Sequence, residues 1–290
     1  MDMEEAPLKY KLAQLISKVW RFQTLRLSNL VFDRWGDSII LNRKFGGEEI
    51  FLDVSRSNAQ RLLYLEGEKF VKEKGLIDRI VKPNMKVVDV GANIGYYMIL
   101  LSSRVGNEGE VVCFEPEPKN ISELKTNLRR NKLSNVEFKK MAVGEENKVV
   151  KFTSELNGEV SSEGEIEVQM VSLDTEVQGV VDAIKIDVEG YEGAVLEGAG
   201  NIINTYHPNL IVEIHPWLST EHNHEEIFRF LEECYSNVEY HEVRMPDIWS
   251  KIAYRYLGRN PIVKIHKRHK LLADCMDGRR ESTFWALCYN

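Results

Sequence analysis

No run of about 18 apolar residues occurs anywhere in this chain, so the sequence offers no candidate membrane-spanning helix. Its start, MDMEEAPLKYKL, is acidic and lacks the basic opening and apolar stretch of a secretory signal. Cysteine is scarce. Cys113, Cys234, Cys275 and Cys288 stand far apart with no C-x-x-C pair, which argues against a disulfide framework and against a structural zinc site of the usual spacing. Internal repeats and low-complexity tracts are missing too. A soluble, reduced, cytoplasmic protein is the expectation. What is present is apolar mass: of 290 residues, 43% are hydrophobic and 29% charged, enough for a sizeable core and too much for wholesale disorder.

Charge is unevenly spread. Between Arg244 and Arg280 stand ten Lys/Arg against three Asp, a local charge of +7 that leaves -14 on the rest of a chain whose total is -7. Such a segment can face phosphate or another anionic surface, or complement the acidic body of its own chain. The acidic remainder argues against a general nucleic-acid binder. At the other end, Leu8, Leu12, Leu15, Ile16, Val19 and Trp20 recur at helical spacing between Lys9, Lys11, Lys18 and Arg21. This helix over residues 6–23 is expected to pack on the domain or on a second subunit, with weak membrane-surface contact as the alternative.

Residues 28–55 switch to short apolar runs and predict a small strand-rich segment, and a helical pattern follows from Glu68 to Lys82. From there the chain alternates as a parallel α/β sheet does. Strands are predicted over KVVDV (86–90), EVVCFE (110–115), NVEFKKMAV (135–143), DAIKID (182–187) and NLIVEIH (209–215). Helices are predicted over 96–105, 118–132, 192–204 and 224–235. An excursion of two strands, KVVKFT (148–153) and EIEVQMVSL (165–173), interrupts the series, and NVEYHEV (237–243) and STFWALCY (282–289) close it. The expected organisation is an N-terminal extension, residues 1–67, and one doubly wound α/β domain, residues 68–290, with a basic insertion at 244–281.

The stretch VVDVGANIGYY (87–97) carries most of the chemistry. A buried strand ends in Asp89, and Gly91 and Gly95 follow before a helix begins, so the backbone can turn sharply and approach a ligand. The spacing is neither the G-x-G-x-x-G of dinucleotide folds nor a phosphate loop with G-K-[ST]. Glu115 closes the next strand in CFEPEP, where an acidic side chain can accept hydrogen bonds from both ribose hydroxyls of an adenosine.

These stretches, with FKKMAVG, VSLDTEV and especially AIKIDVEGYEGAVLEGA, resemble the FkbM-type S-adenosylmethionine-dependent methyltransferases from about Glu68 to His215. The resemblance implies a class I methyltransferase (Rossmann-like) fold, a doubly wound, mostly parallel seven-stranded sheet with an antiparallel last strand, and O-methylation of hydroxyls on sugars or secondary metabolites. It implies that Asp89, Gly91, Ala92, Asn93 and Gly95 hold the methionine end of S-adenosyl-L-methionine. Glu115 with Pro116 would hold the ribose, Met141 and Ala142 would flank the adenine, and Asp187 would touch the cofactor or the acceptor. Residues 1–67 and 244–281 fall outside the match, and acceptor identity is expected to reside there, the basic segment forming a lid or wall.

Methyl transfer is a direct displacement, so alignment in a dry site is the enzyme's main contribution. An aliphatic hydroxyl, with a pKa of roughly 15–16, also needs a base acting in concert. Asp187, Glu189 and His215, all at strand ends, are the candidates for catalysis. HPWLSTEHNH (215–224) has only loose metal-ligand spacing, and no metal is assigned. A small-molecule, sugar or glycan/lipid-linked hydroxyl is the expected acceptor. The alternatives are an RNA or other nucleic-acid methyltransferase, disfavoured because D-V-E-G stands where base-methylating enzymes carry an N-P-P-Y-type loop, and a non-catalytic adenosyl-binding protein.

Overall fold

A computed structural model describes residues 40–69, 71–153, 159–160, 164–215, 224–243, 262–265 and 284–290. The helix predicted for residues 6–23, most of the basic segment 244–281 and most of HPWLSTEHNH lie outside the described residues.

The chain opens with a hairpin, β1 (Ile40–Phe45) and β2 (Glu48–Asp53), and two short helices, α1 (Asn58–Glu66) and α2 (Lys74–Ile80). The single helix expected from Glu68 is thus only its second half. A separate helix, α1, precedes it and is capped by Ser57, whose side chain accepts a hydrogen bond from the Gln60 amide. Then come β3 (Lys86–Val90), α3 (Tyr96–Val105), β4 (Glu110–Phe114), α4 (Pro118–Asn131) and β5 (Val136–Lys139). A side sheet follows, built from β6 (Ala142–Val143), β7 (Lys148–Thr153), β8 (Glu159–Val160) and β9 (Ile166–Val171) in the order β6-β9-β7-β8. The series ends with α5 (Leu173–Glu176), β10 (Ala183–Ile186), α6 (Glu192–Glu197), α7 (Gly200–Tyr206), β11 (Asn209–Ile214), α8 (His224–Cys234), β12 (Asn237–Val243), β13 (Ile262–Ile265) and β14 (Phe284–Tyr289).

The main sheet runs β13-β12-β14-β11-β10-β3-β4-β5. The neighbours from β11 to β5 pair in parallel, whereas β14 is antiparallel to both β11 and β12. The sheet therefore has eight strands where seven were expected: β13, drawn from the basic segment, adds an antiparallel edge to β12. The strand expected over 135–143 is also divided. Its first half pairs with β4, while Ala142–Val143 pairs with β9 in the side sheet, because the chain changes sheets at Lys140-Met141. Helix 192–204 breaks at Gly198-Ala199-Gly200, where the Gly198 backbone lies against the Gly144 carbonyl too closely for any Cβ.

Alternation along the central strands separates two apolar cores, as expected for strands buried on both faces. Val88, Val90, Val112, Phe114, Ile184, Ile186, Val212 and Ile214 pack on one face with α6, α7 and α8. Val87, Val111, Cys113, Ala183, Ile211 and Leu287 pack on the other with α3, and Phe45, Ile50 and Leu52 of the hairpin join that core. Asn127 of α4 is fully buried and clamps the hairpin in place. Its Oδ1 accepts from the Phe51 amide at 2.7 Å, and its Nδ2 donates to the carbonyls of Phe51 (3.2 Å) and Ile94 (2.9 Å), tying β2 to the turn that opens α3.

Candidate active site

The carboxyl ends of β3, β4, β10 and β11 and the amino end of the antiparallel β14 open into one cavity of about 410 Å³. Its walls carry Gly91, Asn93, Tyr96, Glu115, Pro116, Asn120, Met141, Ala142, Asp187, Glu189, Glu213, His215 and Trp285, with Lys72 and Glu73 contributed from the start of α2. Ligands of open α/β sheets bind at this edge, where strand order reverses between β3 and β10.

The glycine turn is dictated by contacts. Gly91 has φ +81°, and its amide and that of Ala92 both donate to the Phe114 carbonyl at 3.0 Å. A Cβ on Gly91 would stand 1.9 Å from the Asp187 carbonyl oxygen, so the β3 and β10 turns fit together only without a side chain at 91. Asn93 takes φ +52°, which asparagine tolerates, and its Oδ1 accepts from the Ile94 amide. Gly95, at φ +90°, caps α3.

Glu115 is 5% exposed and points into the cavity at the end of β4. Its Oε2 accepts from the Asn93 amide at 2.8 Å, and its Oε1 from the Glu117 amide at 2.9 Å and Asn120 Nδ2 at 3.2 Å. Burial raises its pKa, an effect these donors oppose. With four lone-pair sites on a carboxylate and three occupied, one strong acceptor position remains on Oε2.

Asp89 is placed differently from the other predicted binding residues. It is fully buried beneath the turn, on the α3 side of the sheet, and does not line the cavity; neither do Ala92 and Gly95. Its neighbour is Lys185, whose Nζ lies 3.3 Å from Asp89 Oδ1, 3.2 Å from Asp187 Oδ2, 3.2 Å from the Gly91 carbonyl, and 4.2 Å from the Tyr97 ring centroid. Burial opposes the ammonium, but Asp187, Asp89 and Glu213 outweigh it and raise its pKa. Tyr97 is in the core while Tyr96 faces the cavity.

The three residues expected to carry catalysis line the same cavity just past the ends of β10 and β11. His215 Nδ1 is 2.6 Å from Glu192 Oε1, so its Nε2 is turned toward Glu189 Oε2 (3.7 Å) and Glu213 Oε1 (4.0 Å). Burial alone would lower the His215 pKa, but the hydrogen bond to Glu192 and the charges of Glu192, Asp187 and Glu213 push it up to about 9. Burial, followed by the charges of Asp187 and Glu73, pushes Glu213 well above the ordinary range. Glu73, 8% exposed, is raised to about 7 by burial, with Asp187 adding to the rise.

Glu73 lines the cavity and Lys185 and Glu192 contact residues that do, though periodicity did not single them out. A lysine inside the otherwise apolar strand AIKI was the available signal for Lys185. Glu192 sits within the recognised YEG stretch, and nothing local marks Glu73.

Among solved structures the chain is similar to a methyltransferase FkbM from Methylobacillus flagellatus KT (17% identity, TM-score 0.45), covering 79% of this chain and 54% of that one. The chain thus spans about half the length of that relative. It is also similar to a putative rRNA methylase from Clostridium thermocellum (13% identity, TM-score 0.45, covering 77% and 97%). A third is TYW2 of M. jannaschii in complex with AdoMet (14% identity, TM-score 0.44, 87% of each chain). No curated protein matches. Residues 89–237, just over half the chain, match the family described as Methyltransferase FkbM domain, and the chain therefore belongs to the FkbM family of S-adenosylmethionine-dependent methyltransferases.

Proposed function

We propose that this enzyme methylates a hydroxyl oxygen of a small molecule, a sugar, or a glycan- or lipid-linked acceptor, with the reaction taking place in the cavity at the ends of β3, β4, β10 and β11. One observation carries the reading. Glu115, the residue read as a ribose acceptor, lines one cavity of about 410 Å³ together with Asp187, Glu189 and His215.

The residues present suit the cofactor. The vacant acceptor position on Glu115 Oε2 matches a ribose hydroxyl, and the missing side chain at Gly91 lets backbone form the floor. Met141 and Ala142 offer apolar contact for an adenine at the mouth of the side sheet. Asp89 acts from below, holding Lys185 and through it Asp187, rather than touching the ligand. S-adenosylmethionine supplies the electrophilic methyl group.

The remaining work belongs to the chain. Glu189 takes the acceptor's proton as the oxygen attacks. Asp187, held by Lys185, orients the oxygen along the line of displacement, and His215 fixes Glu189. A positioned base of this kind contributes about 10²–10⁴-fold in rate. The test is transfer of labelled methyl groups to fractionated glycans, lipids and small metabolites, comparing wild type with Asp187→Asn and Glu189→Gln. Normal turnover in both variants would place catalysis elsewhere. Salt-sensitive, submicromolar RNA binding with RNA methylation would replace the acceptor class, and cofactor binding with no acceptor in any fraction would favour a binding protein.

A further inference from the structure

We propose that Asp187, Glu213 and His215 form a binding site for one divalent cation of the Mn²⁺ class on the acceptor side of the cavity. The sequence assigns no metal and offers a divalent cation only as one of several uses of the pair Asp187 and Glu189.

One ligand atom from each of the three residues lies within 4.8 Å of the others. Atoms bound about 2.0–2.2 Å from one metal ion stand at most about 4.4 Å apart, so small side-chain rotations close the set. The imidazole is already aimed. Glu192, itself buried, holds Nδ1 at 2.6 Å and also accepts from the Gly190 amide at 3.2 Å, leaving Nε2 toward Glu213. A histidine bound to a metal ordinarily donates its other ring nitrogen to a carboxylate in this way, and the cation takes the place of a proton at Nε2. Asp187 gives one oxygen, Oδ2, to Lys185, which leaves Oδ1 for a ligand.

A second observation comes from another element. Glu73, at the start of α2, is 8% exposed and lines the same cavity as Asp187, Glu213 and His215. A carboxylate buried beside other carboxylates is costly unless positive charge is supplied. Glu73, Asp187, Glu189, Glu192 and Glu213 gather there against Lys72, Lys185 and His215, and Lys185 is shared with Asp89. Mixed carboxylate and imidazole donors suit Mn²⁺ and its first-row neighbours better than Mg²⁺ or Ca²⁺. Three protein ligands leave open positions facing the cavity, so an acceptor with two adjacent oxygens, such as a vicinal diol or hydroxy acid, could chelate the ion. Its hydroxyl would then ionise more readily. This catalytic consequence rests on the methyltransferase reading above; the binding of the ion does not.

The experiment uses the full chain, stripped with chelator and free of S-adenosylmethionine, titrated with Mn²⁺ while free Mn²⁺ is followed by electron paramagnetic resonance. One ion per chain is expected, with pulsed spectra showing coupling to an imidazole nitrogen. Asp187→Asn, Glu213→Gln and His215→Gln should each weaken binding at least about tenfold, and Glu192→Gln by about 10–100-fold. Glu146→Gln, with an exposed side chain outside the cavity, should leave binding unchanged. Absence of stoichiometric Mn²⁺, absence of the nitrogen coupling in wild type, or displacement of the ion by S-adenosylmethionine would overturn the site. The spectrum of the wild type decides the matter even if a variant does not fold. Mn²⁺ bound without any methyl transfer would count against the methyltransferase reading alone, and methyl transfer by a chain that binds no Mn²⁺ would count against the metal site alone.

Discussion

The carbonyl oxygen of Asp187 occupies the space that a side chain at residue 91 would need: a Cβ on Gly91 would stand 1.9 Å from it. The two turns best matched to the FkbM family, one after β3 and one after β10, are thereby interlocked through backbone. The cavity floor is rigid because neither can shift without the other.

Gly91→Ala should therefore be more damaging than a glycine substitution that only strains the backbone. Gly179 has a similar φ, +78°, with nothing within 4 Å of a Cβ, so Gly179→Ala isolates the conformational cost of about 1–2 kcal/mol. Urea unfolding should show Gly91→Ala losing at least about 2 kcal/mol more, together with cofactor affinity. Equal losses would mean that the contact with Asp187 relaxes freely.

Among the described residues, Lys185 is the cation that pairs with both Asp89 and Asp187. Lys185→Met would leave the fully buried Asp89 and the partly buried Asp187 uncompensated, and removing one partner of a buried charge pair costs about 3–5 kcal/mol. Chemical denaturation of the variant should show a loss of that order, and Asp89→Asn added to it should recover part. A neutral Lys185→Met would show that water reaches the cluster.

Glu73 gives a pH signature in the metal-free protein. Its folded pKa of about 7 lies above the ordinary 4.5, so its ionisation opposes folding. The penalty is absent below pH 4.5, grows as pH rises toward 7, and is constant above. Burial is the main cause and Asp187 adds to it, while Lys185 and Lys72 oppose it. Glu73→Gln should thus gain stability over wild type progressively between pH 4.5 and 7, on the order of 3 kcal/mol at most. A pH-independent difference would show that the carboxyl titrates normally.

Glu115 should separate ribose binding from loop support. Glu115→Ala is expected to weaken S-adenosylmethionine binding by about 1.5–3 kcal/mol, roughly ten- to a hundredfold by calorimetry. Glu115 also accepts from the Asn93 and Glu117 amides, so part of the loss should appear as reduced stability. Glu115→Gln, which keeps one carbonyl acceptor, should lose less. Unchanged affinity in both variants would remove Glu115 from the ribose site.

Much of this architecture is legible along the chain. The bounds of β3, α3, β7 and β12 coincide with KVVDV, Tyr96–Val105, KVVKFT and NVEYHEV, because local period and glycine or proline punctuation set them. The helix over 192–204 and the strand over 135–143 read as continuous because apolar spacing carries no information about a break. The interruptions come from a glycine backbone packed on Gly144 and from a change of sheet, both contacts between distant segments.

The candidate site divides in the same way. Gly91, Glu115, Asp187, Glu189 and His215 can be picked out from sequence because each lies within three residues past the end of a strand, and in a parallel sheet strand ends converge on one edge whatever the detailed packing. The inward place of Asp89, its bond to Lys185, the aim given to His215 by Glu192 and the arrival of Glu73 from α2 are decided only in three dimensions. Those relationships depend on which face each strand turns to the sheet and on how closely two turns approach. Burial and neighbouring charge act through space, and no local pattern encodes them.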